Sequence, residues 1–119
     1  MIKSYTIEHV NGITKVHFSK TPSYSEIKTI IDDIADHFPY EKRLWDFTNT
    51  LFSFNANNMK SIAEYGKTKY IKPNRLAVIT SDDMAFEEML LFQKHRKQNG
   101  HLVAKIFKTV REAIAWLQD

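Results

Sequence analysis

The sequence has no cysteine among its 119 residues, which excludes disulfides, thiolate metal sites and a cysteine nucleophile. Glycine and proline are scarce, with three of each, so the composition fits neither a collagen-like nor a low-complexity disordered chain. Apolar runs are only a few residues long, far short of the ~20 that a membrane-crossing helix needs. The opening Met1-Ile2-Lys3-Ser4-Tyr5 mixes polar and apolar residues and lacks the centre of a signal peptide. A soluble cytoplasmic protein is the expectation. Nucleophile elbow, P-loop and glycine-rich dinucleotide fingerprint are all missing, so no cofactor is expected.

What is present fits one domain over residues 1–119, with 43% hydrophobic residues to build a single core. Residues 4–10 and 13–18 read as two strands joined by Asn11-Gly12, a type I′ turn dipeptide. A two-residue turn fixes the register: Val10 faces Ile13, Glu8 faces Lys15, Ile7 faces Val16 and Tyr5 faces Phe18. Ser23 and Glu26 can form a capping box, and Ile27, Ile30, Ile31, Ile34 and Phe38 then recur at helical spacing until Pro39.

The run Arg43-Leu44-Trp45-Asp46-Phe47-Thr48 reads as a central strand that breaks into a loop. Asn55 can cap a second helix with an inner stripe of Met59, Ile62, Ala63, Gly66 and Tyr70. Arg75 to Thr80 has the continuous apolar centre of a strand covered on both faces. A third helix follows from Ser81-Asp82-Asp83 to about Gln98, with Phe86, Met89, Leu90 and Gln93 inward. Leu102 to Phe107, interrupted by Lys105, reads as a strand near an edge. Thr109 and Glu112 offer a second capping box, ahead of Val110, Ala113, Ile114 and Leu117 facing inward.

The order is β-β-α-β-α-β-α-β-α. It predicts a single α/β domain with a mainly parallel five-stranded sheet, an antiparallel first strand and four helices.

Candidate chemistry is sparse. Asp46, Thr80 or Ser81, and Lys105 are parts of a phospho-accepting receiver, but no acidic pair follows the first strand to hold Mg²⁺. The simpler reading of Asp46 is a side chain bonded to backbone amides at the strand–loop junction. The histidines His9, His17, His37, His95 and His101 include no i,i+4 pair, and strand parity sends His9 and His17 to opposite faces. No metal site is expected.

Charge follows position. Lys42, Arg43, Lys72, Arg75, Lys94, Arg96, Lys97 and His101 map to helix C-termini or to the strand starts after them. Asp46, Asp82, Asp83, Glu87, Glu88, Glu26 and Glu112 map to the opposite pole. Helix dipoles account for much of this. The remainder is a basic pole able to meet an anionic membrane or an acidic partner. Aromatics are not interleaved with the basic residues, so no nucleic-acid partner is expected.

The apolar excess is more pointed. Met84, Leu91 and Phe92 lie off the inward stripe of the third helix, and Phe52 and Phe54 occupy a loop. Together with Asp46, Thr48 and Thr80 at strand ends, they mark a candidate ligand-binding rim where open α/β sheets bind ligands. A homodimer contact or a larger core would use the same residues.

Three stretches resemble the STAS and STAS-like family, which includes anti-sigma-factor antagonists and SEC14/STAS-related proteins. They are Leu44-Trp45-Asp46-Phe47-Thr48-Asn49, then Arg75 through Asp83, then Phe107 through Leu117 with its Thr109, Glu112-Ala113 and Trp116-Leu117. The resemblance implies the fold, a non-enzymatic role, and regulation or apolar-ligand binding at the carboxyl ends of the strands. The phosphoserine segment of switched antagonists is not matched: Asn55 and Ala56 stand where the serines would be, and Ser53 is two residues early. The expected function is therefore binding of an apolar or lipid-like small molecule, with peripheral membrane association. The alternative is a protein–protein regulatory module of the antagonist kind without a phosphoserine switch.

Overall fold

In the computed structural model, which describes residues 4–38, 41–50, 56–69, 74–97 and 102–119, Asn11 and Gly12 take φ angles of 53° and 79°. That is the left-handed region a type I′ turn requires at both central positions. The turn joins β1 (Tyr5–Val10) to β2 (Ile13–Phe18). Their pairing is antiparallel in the expected register, with Tyr5 opposite Phe18, Ile7 opposite Val16, Glu8 opposite Lys15 and Val10 opposite Ile13.

The chain continues through α1 (Tyr24–His37), β3 (Lys42–Asp46), α2 (Ala56–Lys69), β4 (Asn74–Ile79), α3 (Asp83–Lys97), β5 (Leu102–Phe107) and α4 (Val110–Gln118). The sheet order is β1-β2-β3-β4-β5, with every pair after the first parallel. Each crossover steps one strand in the same direction. Crossovers of one hand that all step the same way must leave their helices on one face.

Packing follows that rule. Ile27, Ile30, Ile31 and Ile34 of α1, Ile62 of α2 and Met89 of α3 share one core cluster with Val16, Phe18, Trp45, Phe47, Leu76, Val78 and Ile106. On the other face, Ala113 and Leu117 of α4 close over Ile13, Leu44, Ala77, Ile79 and Phe107. At α1 the Ser23–Glu26 capping box is complete: Ser23 Oγ accepts the Glu26 amide at 3.1 Å, and Glu26 Oε1 accepts the Ser23 amide at 3.0 Å. β5 lies at the sheet edge as expected, where Gln93 Oε1 of α3 accepts the Ile106 N–H at 3.2 Å.

Four expectations need correction. Arg43 does not face solvent at a basic pole, because strand parity turns it to the helix-covered side with Trp45 and Phe47. It is 1% exposed and donates through Nη2 to Asn74 Oδ1. Leu90 is not inward: one residue after the fully buried Met89, it is rotated about 100° around α3 and is 42% exposed. Val110, in the first turn of α4, is also exposed. The second capping box is only half made. Thr109 Oγ1 accepts the Glu112 amide at 3.2 Å, but the Glu112 carboxylate takes the Thr109 hydroxyl at 2.9 Å instead of the amide. Pro39, Asn55, Tyr70 and Gly100, which mark expected helix stops, caps and stripe positions, lie outside the described residues.

Candidate functional site

Three parallel strands finish on short polar runs. Ser19-Lys20-Thr21 follows β2, Thr48-Asn49-Thr50 follows β3, and Thr80-Ser81-Asp82 follows β4. Because neighbouring parallel strands end side by side, the three runs converge although they are far apart in sequence. Lys20, Thr21, Thr48, Asn49, Thr50, Ser81 and Asp82 line an open cleft of about 530 Å³. It lies at the carboxyl ends of the strands, where open α/β sheets bind ligands.

Phe18 ends β2 and Phe47 follows β3, so both sit in the core just before two of these runs. They stack almost parallel, with ring centroids 4.1 Å apart and planes 6° from parallel. Trp45 packs against Phe18 at 5.9 Å. The Phe47 N–H donates to the Ile79 carbonyl at 2.8 Å, which carries the β3–β4 ladder one residue past the strand.

Side chains of the loops themselves hold the rim. Asp46 Oδ1 accepts the Thr48 amide at 2.9 Å and also the Thr48 hydroxyl. This is the junction role that an aspartate at a strand end commonly takes. Thr21 and Thr50 hydroxyls meet at 3.3 Å and tie the β2 loop to the β3 loop. Ser81 Oγ donates to the Thr48 carbonyl at 3.4 Å and ties the β3 loop to the β4 loop. The Asp82 amide donates to Thr80 Oγ1 at 3.3 Å, and the Asp82 carbonyl accepts the Phe86 N–H at 2.8 Å to open α3.

Beside the cleft, Lys108 Nζ and Asp83 Oδ1 pair at 2.8 Å. The hydrogen bond from Lys108 holds the Asp83 carboxyl below its ordinary range, and the same bond raises the Lys108 ammonium. The pair is exposed, so it trims local charge more than it adds stability.

The expected site residues separate. Thr48 lines the cleft, and Asp46 fixes it from below with a side chain 14% exposed. Thr80 is fully buried and serves the turn into α3. Met84 stands 75% exposed in the first turn of α3. Phe52 and Phe54, and the side chains of Leu91 and Phe92, lie outside the described residues. Sequence reasoning did not assign Lys20, Thr21, Asn49, Thr50 and Asp82 to the site, and weighed Ser81 only as a receiver hydroxyl. The available signal was the recurrence of a hydroxyl-rich triplet at or within one residue of the end of each of three parallel strands.

Among the described residues, no group of three or more histidines and carboxylates is placed to hold a metal ion. No helix among them is long and apolar enough to cross a membrane.

An α/β domain with one antiparallel strand followed by four parallel ones in sequential order has the STAS-like fold. A solved structure from Thermotoga maritima, of a candidate anti-sigma factor antagonist, matches 97% of this chain and 95% of its own length with a TM-score of 0.63. The two sequences are 15% identical, so the likeness is one of fold. No protein-family model and no curated protein matches the chain.

Proposed function

We propose that this chain is a non-catalytic regulatory module that docks a protein partner at the cleft formed by Lys20, Thr21, Thr48, Asn49, Thr50, Ser81 and Asp82. The carrying observation is the convergence of three hydroxyl-rich loops on one cleft. Hydroxyls and an amide both donate and accept, and Lys20 and Asp82 add one charge of each sign. Such a lining suits an uncapped helix end or the main chain of a partner loop better than a lipid tail. The fold shared with a candidate anti-sigma factor antagonist favours the regulatory reading by analogy.

Nothing among the described residues supports the apolar-ligand reading. Every described residue lining the cleft is polar, and Met84 projects into solvent. The basic pole is also depleted, because Arg43 is buried and Arg75 is engaged with the end of α4.

The test compares Thr50→Arg and Ser81→Arg with Val103→Arg, which places the same charge on an exposed position of the far edge strand. Calorimetric titration with the purified partner is expected to show a loss of at least about tenfold in affinity for the two cleft variants and none for Val103→Arg. Equal affinities for all three variants would remove the cleft from the interface.

A further inference from the structure

On the face opposite α1, α2 and α3, α4 packs against β3, β4 and β5. Beyond its cover, β1 and β2 present Thr6, Glu8, Lys15 and His17, beside Asp46 at the end of β3. Each ring nitrogen of His17 faces a carboxylate there. Nε2 lies 3.1 Å from Glu8 Oε1, and Nδ1 lies 3.5 Å from Asp46 Oδ2. A neutral imidazole carries one N–H, so only the protonated ring donates at both nitrogens.

The two carboxylates differ in their surroundings. The Glu8 side chain is 54% exposed and the Asp46 side chain 14%, so water substitutes for the ring at Glu8 more easily than at Asp46. The other oxygen of Asp46 holds the Thr48 amide and hydroxyl. The Thr48 carbonyl in turn accepts from Ser81. Polar contacts thus lead from the open sheet face to the rim of the cleft: Glu8 hydrogen-bonds the His17 ring, the ring lies in ion-pair range of Asp46, and Asp46 holds Thr48, which accepts from Ser81.

We infer that His17 is a positioning residue for the cleft: its protonated ring fixes Asp46 and, through Asp46, the Thr48 rim, so rim geometry follows the charge on His17. Among the described residues, the charged groups facing the ring are Glu8 from β1, Lys15 two residues along the same face of β2, and Asp46 from β3. Lys15 stands opposite Glu8, so it competes for that carboxylate and opposes the ring's charge. Deprotonation leaves one N–H between two carboxylates and loosens the hold on Asp46. Lower pH therefore orders the rim and higher pH relaxes it. This inference deepens the reading of the cleft as a docking site, but its test needs no partner, so either can fail without the other.

The test is a ¹H–¹⁵N NMR pH titration of the full chain that follows the His17 ring protons and the Thr48 and Ser81 amides. The Thr48 and Ser81 signals are expected to inflect at the midpoint of the His17 ring and to lose that inflection in His17→Gln. The Ala113 amide, in the core under α4, reports that the fold is retained. In Glu8→Gln, the rim inflection is expected to keep coinciding with that of the His17 ring. A Thr48 amide that ignores the His17 midpoint in the native protein overturns the inference, as does an inflection that survives in His17→Gln or, in Glu8→Gln, a rim inflection that no longer coincides with the ring's. Should His17→Gln fail to fold, the native titration and Glu8→Gln decide the matter.

Discussion

Arg75 of β4 closes the end of α4. Its Nη1 donates to the Trp116 carbonyl at 3.0 Å and to the Asp119 carbonyl at 3.1 Å, and its guanidinium carbon lies 5.5 Å from the centre of the Trp116 ring. The last carbonyls of a helix lack the usual partners four residues on and carry the negative end of its dipole; here the Trp116 carbonyl takes the Asp119 N–H at 3.4 Å, and a planar cation adds to it. Trp116 also packs on Phe107 at 5.6 Å. One strand residue therefore adds a polar anchor to the apolar seat that Ala113 and Leu117 give α4.

The first prediction concerns that contact. Arg75→Ala is expected to lower stability by about 1–3 kcal/mol, from the lost charged hydrogen bonds and the cation–π contact. Arg75→Lys should recover less than half of the loss, because an ammonium has no planar face to lay on the Trp116 ring while it donates to the carbonyls. Urea unfolding midpoints of the three proteins measure this. An alanine variant as stable as the native chain would leave α4 seated by its apolar face alone.

Sequence pattern was most informative where local chemistry dictates structure. The Asn11-Gly12 turn set the hairpin register, and the isoleucine spacing set the buried face of α1. It misled where a position has two meanings. Arg43 follows a helix and opens a strand, which reads as a surface cation. Yet alternation with Trp45 and Phe47 already assigned it to the covered face. Leu90 follows Met89 on an apolar helix whose stripe is too wide to assign by composition. The cleft was partly legible, through Asp46 and Thr48. Its other walls come from loops that only the sequential strand order brings together, and that order is a property of the crossovers and not of any one segment.

The second prediction is a pH dependence. The Ser4 hydroxyl donates to Glu26 Oε2 at 2.6 Å, and with the Ser23 amide it holds the Glu26 carboxyl below its ordinary value of 4.5. A carboxyl lowered by folding contributes stability that is fully present above the unfolded value and is lost as pH falls through the folded one. The native chain is therefore expected to lose stability on acidification below about 4.5 more steeply than Glu26→Gln. Urea midpoints followed across that range check it. Parallel acid limbs would show that the capping box is not linked to protonation.

The third prediction addresses the stacked aromatic pair. Phe47 is 1% exposed and stacks on Phe18. Phe47→Ala should cost about 3–5 kcal/mol by leaving a cavity in the core. Phe47→Leu should cost less, because it keeps most of the buried volume. Amide exchange in the loop 48–50 is expected to quicken in both variants before global unfolding does. Unchanged loop protection in Phe47→Ala would separate the pair from the rim.

The fourth prediction isolates the rim. Asp46→Ala removes the acceptor for the Thr48 amide and hydroxyl. It is expected to weaken partner binding by several-fold while lowering the free energy of unfolding by no more than about 1 kcal/mol. A loss of stability without a loss of affinity would make Asp46 a structural residue only.

The docking role of the cleft is tested most directly by in-cell photo-crosslinking, with a photoreactive phenylalanine analogue placed at Asn49 or, as a control, at Val103. A discrete protein adduct from Asn49, absent from Val103 and reproduced with the two purified proteins, is the expected result. Adducts of equal yield from both positions, or none from Asn49 in cells where the chain is folded and abundant, would contradict it.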